Sequence, residues 1–330
     1  MTWKRTVLKV GGSLIADRYR PPAGVLFPCG HAVGDIAPLH VRHLYRMPGI
    51  AKFKSDIDFL GRRYQALQLS ELERIPFLHH KKGAAQYFVL SFDDGMREVY
   101  DVIAPILREK GIPALFFLNS ATIDNKQLMW RHKVSLLIAR AHQEPARIPP
   151  QLSVFPGESL RAKLLTLRFA DERILDDIAR FFELDFSEYL RSSQPYLTTG
   201  QVLELARAGF EFGAHSASHP YFNEIPVEDQ KEQISGSVRF IRALGLPCRY
   251  FAFPFDDNGV PTSVFKYMRE LDLVLSFGTS DTRLDSVPFS FQRFALDAEN
   301  TDSSVPDVLK QLSAKSFVRR LCRTELIRRN

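Results

Sequence analysis

Two adjacent carboxylates, Asp93 and Asp94, stand in SFDDG at 91–95, and two histidines four apart, His215 and His219, stand in HSASHP at 215–220. One carboxylate and two imidazoles bind a divalent cation and leave part of its coordination shell to water, the ligand count of a catalytic rather than a closed structural site. Histidines at i and i+4 can reach one ion from the same side of a helical turn. Two equal carboxylates at one site repel, so one is best committed to the metal while the other stays free to move a proton. The chemistry is metal-assisted hydrolysis, in which a divalent ion polarises a carbonyl and lowers the pKa of water from about 15.7 toward roughly 7. Neither motif suffices alone, because DDG is ordinary turn material and a loop histidine pair is more often simply hydrogen-bonded.

Residues more than a hundred positions apart need a scaffold to bring them together. Apolar, strand-like runs recur at 25–30, 87–92, 114–119, 210–214, 250–254, 273–277 and 289–296. The candidates fall just after them: Asp93 and Asp94 after VLSF, His215 after FEFGA, Phe255 after YFAFP. In a parallel barrel the carboxyl ends of the strands carry the active site. Helical patterns separate the runs. Val99, Val102, Ile103, Ile106 and Leu107 share one face of 97–110, and Gly111 is placed to stop that helix. Thr198 with Gln201, and Ser70 with Glu73, read as capping boxes, and Glu228 and Asp229 suit a helix's first turn. Between 125 and 195, helical stretches follow one another without a strand and are broken by EPARIPP at 144–150; Trp130, Arg131 and His132 open the first, with Trp130 expected to pack. The expected fold is α/β, a distorted (β/α) barrel of about seven strands with a helical insertion. Its divisions are an N-terminal extension 1–24, a first barrel part 25–124, the insertion 125–195, a second barrel part 196–300 and a basic helical tail 301–330.

The motifs together resemble the polysaccharide deacetylases, carbohydrate esterase family four, whose signatures are a TFDDG-like strand end and an HSxSHP or HTxxHP turn. RYFAFPFDDNG at 249–259 resembles the family's third motif in its FAYPYG form, and TTGQVLELARAGFEFGAHSASHP resembles the approach to its second. The resemblance covers roughly 25–120 and 196–297. It implies a metal on Asp94, His215 and His219, zinc first, with cobalt, iron and manganese also suited to such a donor set. It further implies Asp93 as the base and the backbone N–H of Phe255 as an oxyanion donor, each such donor being worth about 3 kcal/mol. The implied reaction removes N-acetyl groups from amino sugars of a glycan or a lipid-linked glycan precursor.

Two departures bear on mechanism. Ala252 stands where members with an RPPYG motif carry arginine, and no histidine follows His219, although many members place their general acid on the last strand. Asp93 could return its proton to the amine with Arg293 of FSFQRFALD as its orienter, or His31, after VLFPCG and similar to the YHRV histidine of some members, could reach the site. Two other readings stand beside the deacetylase: a metal-dependent amidase acting on a non-sugar amide, and a degenerate barrel that binds glycan without hydrolysing it.

A chain of 330 residues, 45% hydrophobic, can bury one large core. Three cysteines far apart give no disulfide framework and suit a reducing compartment; Cys29 reads as a buried structural thiol. The net charge of +6 is concentrated in 315–330, where six cations face only Glu325, so no spread nucleic-acid surface is indicated. SFVRRLCRTELI at 316–327 suits equally an interfacial helix at an anionic membrane and a helix docked on the barrel. The apolar stretch after Lys4 and Arg5 is interrupted by Lys9, Gly11 and Gly12 and makes a poor signal peptide. The expected setting is cytoplasmic, peripheral at the inner membrane face, in surface polysaccharide biosynthesis; oligomeric state is not legible.

Overall fold

The computed structural model describes residues 24–79, 86–297 and 303–330, so the expected N-terminal extension, apart from Gly24, lies outside the described residues. Eight short strands form one all-parallel sheet: β1 (Pro28–Gly30), β2 (Leu90–Phe92), β3 (Ala114–Leu118), β4 (Glu211–Ala214), β5 (Tyr250–Ala252), β6 (Leu275–Gly278), β7 (Ser290–Gln292) and β8 (Phe294–Ala295). Their spatial order is β7-β6-β5-β4-β3-β2-β1-β8. The two edge pieces are consecutive in sequence, parted only by Arg293. One segment therefore pairs with β6 through residues 290–292 and with β1 through 294–295, closing the barrel around seven strand positions.

Strands buried on both faces need continuous apolar runs, and all five residues of β3 are buried. Phe117 on β3 touches Phe277 on β6 at 5.6 Å between centroids, and Phe27, beside β1, touches Phe277 and Phe291 at 5.7 and 5.5 Å. These strands are not neighbours in the sheet, so the rings meet across the barrel interior. Gly213 on β4 makes room there, since a Cβ at that position would lie 2.4 Å from the Phe117 ring. The alternate residues, Phe92, Phe116 and Phe212 among them, face outward against the helices.

Helix α1 (Ile50–Arg63) buries Phe53, Ile57 and Leu60. The stretch 125–195 holds α2 (Trp130–Gln143), α3 (Leu160–Thr166), α4 (Glu172–Phe181) and α5 (Phe186–Ser193), with no β-strand of the sheets among them. Their apolar faces share a second core with Ala32, Val41 and Met47 of the loop after β1, so insertion and loop form one wall beside the barrel mouth. The Thr198–Gln201 capping box forms at the start of α6 (Thr199–Arg207), and Glu228 and Asp229 occupy the first turn of α7 (Val227–Ala243). The Ser70–Glu73 box does not form: 69–74 is a 3-10 turn whose cap, Gln68, makes no side-chain bond, and Glu73 pairs with Arg249 instead.

The basic tail departs from a purely helical one. Helix α8 (Val305–Leu321) buries Val305, Leu309 and Leu312, and the chain then runs as a short strand, Leu326–Ile327, parallel to Leu284–Asp285. Lys315 and Arg319 pair with Asp281, while the Arg329 side chain is inserted between Asp257 and Asp285. Among the described residues no helix is long and apolar enough to cross a membrane.

Candidate active site

Each residue with candidate chemistry lies at the carboxyl end of a barrel strand. His31 follows β1, Asp93 and Asp94 follow β2, His215 follows β4, Phe255 lies just beyond β5, and Arg293 sits between β7 and β8. Asp94, Ser216, His219 and Phe255 all have left-handed backbones, with φ of 72, 67, 61 and 57°. That region costs an L-residue roughly 1–2 kcal/mol, and strain of this kind clusters where a fold over-determines a functional geometry.

Asp94, His215 and His219 are buried and offer ligand atoms all within 4.8 Å of one another. The His215 and His219 Nε2 atoms lie 3.4 and 3.2 Å from Asp94 Oδ1, a buried oxygen with no hydrogen-bond partner. His215 Nδ1 lies 2.8 Å from the Ala252 carbonyl, which can only accept, so Nδ1 donates there and Nε2 is turned toward Asp94. Burial lowers the His219 pKa, against the opposing pull of Asp94. The Asp94 carboxyl, which burial alone would raise, is held well below its usual range by His219 and His215. A buried carboxylate oxygen without a hydrogen-bond partner and two imidazole nitrogens turned toward it form a donor set that fits a divalent metal. The His219 turn is fixed by its own N–H donating to Ser216 Oγ at 3.0 Å and by its carbonyl accepting from Trp130 Nε1 at 2.9 Å.

Asp93 takes a different partner. Arg293 Nη1 and Nη2 each donate to one Asp93 oxygen at 2.7 Å, and Nη1 also donates to Ser91 Oγ at 3.1 Å. Burial would raise the Asp93 pKa, but the guanidinium, aided by His215, outweighs it and holds the carboxylate below its usual range. The arginine missing at Ala252 thus has a spatial substitute from the closing strand, and the two neighbouring aspartates face different partners, Asp93 the guanidinium and Asp94 the two imidazoles.

His31 is likewise brought in. Its Nδ1 lies 2.8 Å from Asp297 Oδ2, and its backbone N–H donates to the same oxygen at 2.9 Å. Burial opposes protonation, but the Asp297 carboxylate outweighs it and lifts the imidazole pKa to about 10, with Asp94 and Asp93 adding to the effect. The ring stays 30% exposed, so a charged imidazolium faces the mouth. Asp297 was not legible as a site residue; its one signal was its place just after an apolar strand run, the place Asp93 also holds. Cys29 is inert packing, its thiol pushed up to about 12 by burial.

The Phe255 ring lies 4.4 Å from the His219 ring and stacks on Tyr221 at 3.8 Å and 11°. Trp130 is buried at the start of α2, 6.0 Å from Phe255, and is a packing residue behind the His219 turn. The Tyr45 hydroxyl, on the loop after β1, is buried without a hydrogen-bond partner, and its ring lies 5.3 Å from that of His31.

A family model described as polysaccharide deacetylase matches residues 80–275, more than half of the chain; His31, Arg293 and Asp297 lie outside that segment. No curated protein matches. Among solved structures the chain is similar to the deacetylase PplD of Streptococcus pyogenes in complex with acetate, at 15% identity over 88% of this chain and 99% of that one, with a TM-score of 0.56. It is similar also to IcaB from Ammonifex degensii, at 17% identity over 89% and 99%, TM-score 0.56. A polysaccharide deacetylase from Bacillus cereus aligns at 12% identity over 87% and 68%, TM-score 0.52. At these identities the likeness concerns the barrel fold.

Proposed function

The chain belongs to the polysaccharide deacetylase family of hydrolases, and from that premise we propose that it removes N-acetyl groups from amino sugars of a glycan, using a divalent metal, zinc first, held by Asp94, His215 and His219. The observation that carries this reading is the division of the aspartates: Asp94 faces the two imidazoles of His215 and His219 while Asp93 is held by Arg293. When bound, the metal polarises the acetyl carbonyl and acidifies water.

The chain's own residues supply the rest. Arg293 keeps Asp93 ionised and fixes its plane, so the carboxylate takes the proton of the attacking water as the new C–O bond forms. The Phe255 N–H, aimed by its left-handed backbone, serves as a donor to the developing oxyanion. His31, kept protonated by Asp297, gives its proton to the nitrogen as the C–N bond breaks, releasing acetate and a free amine. This separates base and acid between two residues, and of the two expected routes to the amine's proton it favours His31 while giving Arg293 its orienting role. The donor that sits opposite a glycan-binding-only reading is the intact Asp93–Arg293 pair, which such a barrel has no use for.

The test is metal content and acetate release from N-acetylated oligosaccharides, beside small amides, for wild type and His215→Ala. About one metal per chain, lost in the variant together with acetate release, supports the reading. Release from small amides alone would install the amidase instead, and a chain that takes up no zinc, cobalt, iron or manganese would refute it. A place at the inner membrane face, in surface polysaccharide biosynthesis, extends the proposal; among the described residues Arg320, Arg323 and Arg328 are exposed tail cations that pair with no carboxylate and could meet anionic lipid. Failure of the chain to sediment with anionic vesicles would remove that extension.

A further inference from the structure

The wall of the mouth beyond Phe255 carries two arginines that the deacetylation chemistry does not use. Tyr221, stacked on Phe255, lies under the Arg168 guanidinium at 5.3 Å, and Trp130 lies under that of Arg131 at 5.1 Å. Tyr221 and Trp130 are themselves 6.3 Å apart, so both cations lie along one aromatic strip that leads away from His219.

Arg131 is poorly compensated. It sits in the first turn of α2, where the helix's own partial positive charge disfavours a cation, and that turn contains no acidic residue. Its guanidinium donates only to the Leu165 carbonyl, at 3.3 Å, and among the described residues no carboxylate pairs with it. Burial and the neighbouring charge of Arg168 both weaken its hold on a proton, while the Tyr221 phenol group opposes them. Of the acids near Tyr221, Glu224 is engaged with Arg168 at 3.3 Å, and Asp256 turns to accept the Asn258 N–H at 2.9 Å. A half-buried cation left without a counter-ion beside an open site costs free energy that an incoming anion would return.

We propose that Arg131 and Arg168 form an anion subsite, and that the substrate is an acidic glycan bearing a carboxylate or phosphate one sugar residue or more from the acetamide that is cleaved. The planar guanidinium fork matches both anions in two-pronged geometry. A charge at this distance selects the chain without entering the bond-breaking step. The inference rests on the deacetylase reading for its substrate and on the wall alone for its charge preference.

The test separates the two. Binding is measured by calorimetry with chelator present, so that no turnover occurs, for neutral chitopentaose, a hyaluronan hexasaccharide carrying carboxylates, and a phosphodiester-linked trimer of N-acetylglucosamine 1-phosphate. At least tenfold tighter binding of one anionic probe than of chitopentaose, reduced to near equality in Arg131→Gln and Arg168→Gln, supports the subsite, and the probe preferred tells carboxylate from phosphate. Arg168→Gln is the safe variant, since that side chain is largely exposed, and Arg131→Lys keeps the charge and should retain part of the preference. Equal binding of all three probes, or a preference that survives both Gln variants, overturns the proposal. Acetate release is then assayed with metal restored: release without charge preference leaves the deacetylase reading intact and removes the subsite, whereas charge-selective binding without release from any probe keeps the subsite and removes the deacetylase.

Discussion

Replacing Arg293 by methionine isolates the interaction on which the base depends. Arg293 and Asp93 side chains are 1% and 5% exposed, and the guanidinium makes two 2.7 Å bonds to the two carboxylate oxygens. Arg293→Met leaves the carboxylate buried without its cation, which costs about 3–5 kcal/mol, a large share of the 5–15 kcal/mol that typically holds a domain folded. Asp93→Asn/Arg293→Met removes both charges together and should lose much less, so the pair couples by at least about 2 kcal/mol. The assay is urea unfolding of the four proteins of this cycle at neutral pH, with chelator throughout so that bound metal cannot lend Asp93 a second cation. The pH matters in sign. A carboxyl whose folded pKa is depressed contributes stability that is complete above its unfolded value, near 3.8, and is lost as pH falls through the folded one. Neutral pH therefore reads the full effect. In the metal-loaded protein, Arg293→Met should retain about one metal per chain yet lose at least about a hundredfold in kcat. A single variant within about 1 kcal/mol of wild type, or a double variant as unstable as the single one, would refute the reasoning.

Three further outcomes follow from the same geometry. His31→Gln should lower kcat by about 10²–10⁴ with metal content unchanged, and Asp297→Asn should move the basic limb of the pH–rate profile from about 10 down toward 6.5, because the acid must be protonated and loses its carboxylate; an unmoved limb would exclude the pair. His40 is held neutral by burial, its pKa lowered to about 4, so the unfolded chain binds a proton there that the folded one refuses between pH 6.5 and about 4. Stability should fall as pH falls through that window, by up to about 3 kcal/mol for this group, and His40→Gln should flatten the slope seen in urea titrations at several pH values. Arg329→Met strands two buried carboxylates, Asp257 and Asp285, and should cost about 3–5 kcal/mol, most of it recovered when both aspartates are changed to asparagine, as thermal unfolding would show.

The meeting of Asp94, His215 and His219 was readable because a parallel barrel places chemistry at strand ends, and strands buried on both faces announce themselves as apolar runs. VLSF, FEFGA and YFAFP each delivered their following residue to the mouth. The Arg293–Asp93 pairing could be anticipated from a vacancy, the missing arginine at position 252, together with a charged residue inside an otherwise apolar closing strand. Asp297 carried no such contrast, since one acid after FAL looks like any loop, and its meaning lies in a partner 266 positions away. The tail shows the same limit. Its arginines read as a solvated or lipid-facing stripe because local spacing contains no trace of Asp257, Asp281 and Asp285, the acids that take three of its cations. Ser70 and Glu73 had the right types at the right spacing, yet Glu73 found Arg249 across the fold.

The position of Arg293 between the two halves of the closing strand has a consequence for the order of folding. Residues 90–252 carry Asp94, His215 and His219 and can assemble around β2 to β5, whereas Asp93 acquires its cation only when a segment 200 positions later docks between β6 and β1. Contacts at that separation carry a large loop-closure cost and come late. On the proposed mechanism, an emerging or partly unfolded chain would assemble the candidate ligands before it could hold a competent base, so ring closure itself would act as the licence for hydrolysis, and a barrel opened at this seam would fall silent before the ligand set came apart.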